Sequence, residues 1–321
     1  MKIVILGASG GLGGKLARHF YGRHEVLVQG RNSLKIASLK SDGLGWVQGE
    51  LNDPVIVKAI SNFAPDVIIN ATGKSGFSRG KAQYAKANIE TVEHAILLAR
   101  AAKNSRLIHF SSPSVSYRAH DCLNIPEDKP FSPPVSGYAW SGQQSELLLE
   151  AADDIPVTII RLRSAYGYGA PSPLETIRQK IKRGSFLPLV RGGEVKIDLI
   201  HIDDAIAAVE AILATPQTTH HLVMNVAGPE ALTFRDIADS IAAYENVRPK
   251  WLPLPGIALA FAGPIAEIMM AMLPENREPD ISAHMAGSLL YAQTLDLSRI
   301  KQLTGWVPKL TLKSVLKLGS L

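Results

Sequence analysis

Short runs rich in Val, Ile and Leu alternate along this chain with longer segments whose apolar residues recur at helical spacing. Lys2 to Leu6, Glu25 to Gln29, Gly45 to Gln48, Asp66 to Asn70, Arg106 to Ser111 and Val157 to Leu162 predict strands, most of them apolar enough to be buried on both faces. Gly11 to Tyr21, Pro54 to Phe63, Tyr84 to Lys103 and Tyr138 to Ala152 predict the helices between them. This alternation predicts an α/β fold, a Rossmann-type doubly wound parallel sheet with right-handed crossovers. Beyond Leu162 the rhythm changes: Pro and Gly gather between Gly167 and Gly193, a strand-like run follows at Leu222 to Gly228, and the remainder is largely helical and apolar. Residues 1–165 are therefore expected to form the sheet domain, with 195–227 returning to it, while 166–194 and 228–321 form a smaller, mostly helical region.

Composition narrows the class. At 321 residues and 46% hydrophobic content, the chain is long enough for two domains sharing a core. The one cysteine, Cys122, excludes an internal disulfide, and the apolar run Ile3 to Leu6 is too short for a secretory leader, so the expected location is cytoplasmic. A net charge of +5 suits an anionic ligand or weak membrane contact, yet Lys and Arg are scattered rather than clustered, so no nucleic-acid partner is expected.

Directly after the first strand, Gly7, Gly10 and Gly13 form a G-x-x-G-x-x-G that leads into a helix, with Ser9, Gly11 and Leu12 between them. A pyrophosphate needs backbone N–H groups and the positive end of a helix, and a Cβ in the turn would hold it away. In a dinucleotide-binding domain, a carboxylate after the second strand would bind the ribose 2′-hydroxyl of NAD. Here the segment reads LVQGRNSLK: no acid is present, and Arg31 follows Gly30, with Lys35 one turn on. A guanidinium grips a 2′-phosphate bidentately, so NADP is the expected cofactor and NAD the alternative. A solvated loop arginine is the competing reading of Arg31.

Eight landmarks in order then resemble the extended short-chain dehydrogenase/reductase family, the NAD(P)-dependent epimerase/dehydratase and 3β-hydroxysteroid dehydrogenase-like group. They are GASGGLG, GELNDP around Glu50 and Leu51, NATG ending in Ala71, Thr72 and Gly73, Asn88, HFSSPSV, RLRSAYG with Arg163 inside it, LIHIDDAIAAV and LTGWVPK. The resemblance implies hydride transfer between a nicotinamide and a carbonyl or alcohol carbon of a small molecule, in a homodimer. It implies that Tyr138 exchanges a proton with the substrate oxygen while Ser112 hydrogen-bonds that oxygen. Glu50, Leu51, Ala71, Thr72, Gly73, Asn88, Tyr138 and Arg163 are the expected cofactor contacts beyond the glycine loop.

The resemblance also implies a lysine four residues after the tyrosine, and YAWSGQQSE puts Gly142 there. The residues four after Tyr21, Tyr84, Tyr117, Tyr138, Tyr166, Tyr168, Tyr244 and Tyr291 include no lysine. A phenol with a pKa of about 10 stays protonated near neutrality without a cation to lower it. Three explanations stand open: Lys74 or Arg163 replaces the missing cation; Tyr138 works unaided as an acid, which suits reduction; or the site binds cofactor without turnover.

Other signals carry less. GKS at Gly73 to Ser75 lacks the first glycine of a P-loop, since Ile68 stands there. His201, Asp203 and Asp204 read as a helix start rather than a metal site, and no metal is expected. His109 reads as a core histidine, and His220 and His221 as a solvated turn. The apolar stretch Leu252 to Pro274 is interrupted by Pro253, Pro255, Pro264 and Glu267, so it reads as a pocket-covering or dimer-burying helix, with an interfacial anchor as the alternative. Similar segments in the steroid dehydrogenase-like branch imply an apolar substrate; Met269, Met270 and Met272 would make an adaptable wall for it, and at least one of the three reads better as a core methionine. The expectation is an NADP-dependent reductase of an apolar carbonyl compound; a nucleotide-sugar epimerase or dehydratase, and a non-catalytic NADP-binding sensor or scaffold, are the alternatives.

Overall fold

The structure, a computed structural model, describes residues 1–75, 81–103, 105–167, 173–217, 219–261 and 283–319. Its centre is one parallel sheet built from β1 (Lys2–Leu6), β2 (Glu25–Gly30), β3 (Gly45–Gln48), β4 (Val67–Asn70), β5 (Arg106–Ser111), β6 (Val157–Leu162) and β7 (His221–Val226). The spatial order is β7-β6-β5-β4-β1-β2-β3. The order reverses between β1 and β4, and such a switch point opens a crevice at the carboxyl ends of the strands.

Alternation within each strand explains why the runs are apolar throughout. Ile3 and Ile5 join one core cluster with Val28, Ile69 and Ile160, beneath α1 (Gly11–Phe20) and the helix Ile202–Ala214. Val4 and Leu6 join the other with Ile68, Val157 and Ile159, beneath the helices of the opposite face. Both faces are covered, so both sets of side chains leave water.

A helix absent from the sequence pattern, α2 (Ser33–Ser41), follows β2. Only Ile36 and Leu39 of it are buried, and the Asn32 side chain caps it by accepting from the Lys35 N–H. The third helix, α3 (Pro54–Phe63), starts where expected because Asp53 accepts from the Val55 N–H and Pro54 occupies the first turn. The segment expected as one helix from Tyr84 starts earlier, with α4 (Lys81–Tyr84), passes through a wide π turn at Ala85–Ile89 and continues as α5 (Glu90–Ala101). Opposite it lies α6 (Gly137–Glu150).

The remaining residues hold more strand than the pattern suggests. Ala231–Thr233, Lys196–Asp198, Gln293–Leu295 and Cys122–Ile125 form a second, four-stranded sheet, and Phe186–Val190 pairs with Lys250–Leu254. His221 opens β7 instead of sitting in a turn, and its ring Nε2 lies 3.2 Å from the Ala152 carbonyl. Met269, Met270 and Met272 lie outside the described residues. Among the described residues, no helix is long and apolar enough to cross a membrane.

Candidate active site

The glycine loop is shaped by contacts that leave no room for side chains. Gly7 has φ +76°, and a Cβ there would meet the backbone of Ala71 and Thr72 at 2.9 Å. At Gly13 a Cβ would stand 2.6 Å from the Gly7 carbonyl oxygen. Two strand ends and the start of α1 are thereby drawn together across the switch point, which only glycine permits. Gly10 caps α1 without any side-chain hydrogen bond, and the first turn carries no acid. The N–H groups of Gly11, Leu12 and Gly13 thus stand at the positive end of the helix without a side-chain cap, an arrangement suited to an anion. Behind the loop, the Gln29 side chain accepts from the Gly7 N–H at 3.2 Å and donates to the Gly49 carbonyl at 2.6 Å.

Arg31 and Glu50 meet past the ends of β2 and β3. Their side chains approach to 3.4 Å with exposures of 67% and 60%. A pair so open to water contributes little, so the guanidinium is free to turn to a phosphate. Leu51 is a core residue, 5% exposed and packed with Ile56 and Ile60, so its side chain faces the interior while Glu50 faces out.

At the end of β4 the buried Asn70 organises the chain. Its Oδ1 accepts from the Thr72 N–H at 3.1 Å and from the Thr72 hydroxyl, and its Nδ2 lies 3.3 Å from His109 Nδ1. Burial lowers His109 to about 4, so the ring is neutral and serves as a partner for Asn70. Asn88, carried on the π turn, accepts from the Lys74 N–H at 2.6 Å and donates to the Lys74 carbonyl at 3.2 Å and to Ser141 Oγ at 2.9 Å. The wide turn aims this one amide at both α6 and the segment after β4, a role that no local sequence signal announces.

Tyr138 and Ser112 are brought together. Ser112 extends β5 and its Oγ accepts from the Ser114 N–H; Tyr138 lies in the first turn of α6, which Ser136 caps. Burial raises the Tyr138 phenol above its ordinary value, and a hydrogen bond with the Ser112 side chain opposes this in part. Its ring packs on Tyr84, centroids 6.1 Å apart. No cation acts on the hydroxyl among the described residues. Lys74 is occupied elsewhere, its Nζ donating to Gln83 Oε1 at 2.7 Å. Arg163 is acted on by Asp198 and Tyr117 at longer range and is not among the groups that act on Tyr138. Of the three explanations left open above, a substitute ammonium from Lys74 or Arg163 is therefore not what the described residues provide at Tyr138. Gly142 lies one helical turn on, and a Cβ there would meet Val115 Cγ1 at 3.1 Å.

Beneath the site runs a network of which the sequence signalled only single members. Arg161, on β6, holds both oxygens of Glu146, with Nη2 to Oε2 at 2.7 Å, and donates to the Glu127 carbonyl at 2.8 Å. The two side chains are 6% and 4% exposed, and Ser111, next to Ser112, donates to the same carboxylate. His201 and Asp204, weighed above as metal ligands, cap the helix Ile202–Ala214 and accept the Lys309 and Leu310 N–H groups, respectively.

The sequence profile of the NAD-dependent epimerase/dehydratase family matches residues 3–227. Among sequence relatives, a 2-alkyl-3-oxoalkanoate reductase of Stenotrophomonas maltophilia is 26% identical over 99% of this chain and 98% of its own. A protein of the same name from Shewanella oneidensis is 24% identical, covering 98% of this chain and 84% of that one. Among solved structures, UDP-glucuronic acid 4-epimerase from Bacillus cereus in complex with NAD superposes with a TM-score of 0.78 at 18% identity, covering 99% of this chain and 96% of that one.

Proposed function

The chain belongs to the NAD-dependent epimerase/dehydratase family, and from that membership we propose that it is an NADP-dependent reductase that converts the carbonyl of a small, largely apolar molecule to an alcohol. The observation that carries this reading is the state of Tyr138: a phenol whose pKa is raised by burial, hydrogen-bonded to Ser112, with no cation acting on it among the described residues. Reduction needs the phenol protonated, whereas alcohol oxidation and reversible epimerisation need the phenolate. The names of the sequence relatives favour a 3-oxo acid bearing an alkyl chain as the substrate class.

In this reading Gly7, Ser9, Gly10, Gly11, Leu12 and Gly13 hold the pyrophosphate, Arg31 the 2′-phosphate, Glu50 and the Leu51 backbone the adenine side, and Ala71, Thr72 and Gly73 the ribose region, with Asn88 fixing the segment after them. Residues 1–165 and 195–227 form the cofactor half, and 166–194 with 228–321 supply the substrate side. When bound, the dinucleotide supplies a hydride. Tyr138 gives its proton to the carbonyl oxygen, and Ser112 donates a hydrogen bond to the same oxygen. Alkoxides are strong bases, their conjugate acids being about as weak as water, so even an unassisted phenol gives up its proton downhill. Solvent then restores the phenol.

The test is oxidation of NADPH by purified protein across a panel of 3-oxo acids, their esters and simple ketones. Binding of NADPH without turnover on any member would favour a sensor instead. Replacing Arg31 with Ala removes a charge-assisted contact of about 1.5–3 kcal/mol, so KM for NADPH is expected to rise roughly 10- to 100-fold with KM for NADH unchanged. Gly142→Lys restores an ammonium one turn from Tyr138 and requires Val115 to yield by a few tenths of an ångström. Its expected effect is alcohol oxidation at about pH 8 faster by roughly tenfold or more, because the phenolate becomes accessible. An unchanged oxidation rate would mean that the phenol does not limit this chemistry.

A further inference from the structure

Arg163 lies one residue past the end of β6, and its backbone N–H still donates to the Val226 carbonyl at 3.0 Å, so the extended register continues. By strand alternation it shares a face with Arg161, the face covered by α6. The two guanidiniums differ in their partners. Arg161 is fully engaged by Glu146 and the Glu127 carbonyl. The Nε of Arg163 is buried without a hydrogen-bond partner among the described residues. Asp198 and Tyr117 act on it only at longer range, and Asp198 turns one oxygen to the Leu295 N–H at 2.7 Å. Leaving that buried Nε without an acceptor is costly even with the Asp198 carboxylate nearby, and an anion that reaches the half-buried guanidinium relieves the cost.

Its position says which anion. Ser111 pairs with Arg161 across β5 and β6, so Ser112 is level with Leu162 and the Arg163 backbone lies roughly 6 Å from it. Glu146 faces Arg161; two residues further along β6 match about four residues back along the antiparallel α6, the level of Gly142, one turn from Tyr138. A 3-oxo acid carries its carboxylate two carbons from its carbonyl, a span suited to this separation.

We propose that Arg163 binds the carboxylate of a 3-oxo acid substrate, fixing the neighbouring carbonyl against Tyr138 and Ser112. The assignment rests on the carbonyl-reductase reading of Tyr138 and makes Arg163 the residue that selects acids over neutral ketones. A planar guanidinium matches a carboxylate bidentately, a geometry that lysine does not reproduce.

The test compares wild type, Arg163→Gln and Arg163→Lys on an alkyl 3-oxo acid and its methyl ester, with NADPH saturating. Wild type is expected to prefer the acid at least tenfold in kcat/KM. Arg163→Gln loses that preference through a 30-fold or greater fall on the acid and less than threefold on the ester, and Arg163→Lys raises KM for the acid about tenfold with kcat kept. Equal falls on acid and ester, or no preference in wild type, would overturn the proposal. If wild type reduces no carbonyl, the reductase reading fails separately, and calorimetry of the corresponding 3-hydroxy acid and its methyl ester on NADPH-loaded protein decides the anchor. Tenfold weaker binding of the acid alone in Arg163→Lys supports it, and equal binding by wild type and variant refutes it.

Discussion

Tyr138→Phe is expected to lower kcat/KM for carbonyl reduction by roughly 10²- to 10⁴-fold, with NADPH affinity unchanged, because the ring that packs on Tyr84 is kept and only the proton donor is lost. The pH dependence follows from the same group. Burial raises the Tyr138 phenol above its ordinary value of 10.0. The protonated form that reduction uses is therefore complete at low pH and is lost only as pH rises through the raised value. Reduction by wild type should run flat from about pH 6 to 9 with respect to this group, and alcohol oxidation should climb across the same range without a plateau, since it draws on a scarce phenolate. Steady-state rates in both directions check this. A reduction rate that falls between about pH 6 and 8, with cofactor and substrate saturating, would remove Tyr138 as an unassisted acid.

The second large effect concerns stability. Glu146→Ala leaves the Arg161 guanidinium, 6% exposed, without its carboxylate and is expected to cost about 3–5 kcal/mol in denaturant unfolding. Glu146→Gln keeps an acceptor for Arg161 and Ser111 and should cost less. The same loss removes the partner of Ser111, so Ser112 shifts at the end of β5 and reduction should fall in those molecules that remain folded. Equal stability of Glu146→Ala and wild type would show that Arg161 finds another acceptor or is solvated.

Much of the central sheet and its first helices was readable because their determinants are local. Glycines after an apolar run, Asp53-Pro54 at a helix start and alternating apolar strands each act within a few residues, so Gly7, Gly10 and Gly13 were placed by spacing alone. Helix α2 escaped because two buried residues, Ile36 and Leu39, leave too faint a periodicity over Ser33–Ser41. The strands of the second sheet escaped for a related reason. Lys196–Asp198 and Gln293–Leu295 are three residues each and meet partners about a hundred positions away, so pairing rather than pattern makes them strands.

Sequence by itself determined that a tight glycine turn joins the first strand to the first helix and that Gly142, not a lysine, stands four residues after Tyr138, since these depend on residue identity and short spacing. Only the tertiary structure decided that Lys74 turns to Gln83, that Arg161 is spent on Glu146 and that the buried Nε of Arg163 has no hydrogen-bonding partner among the described residues. The electrostatic state of a side chain depends on what burial and distant strands bring within a few ångströms of it, and no local pattern encodes that.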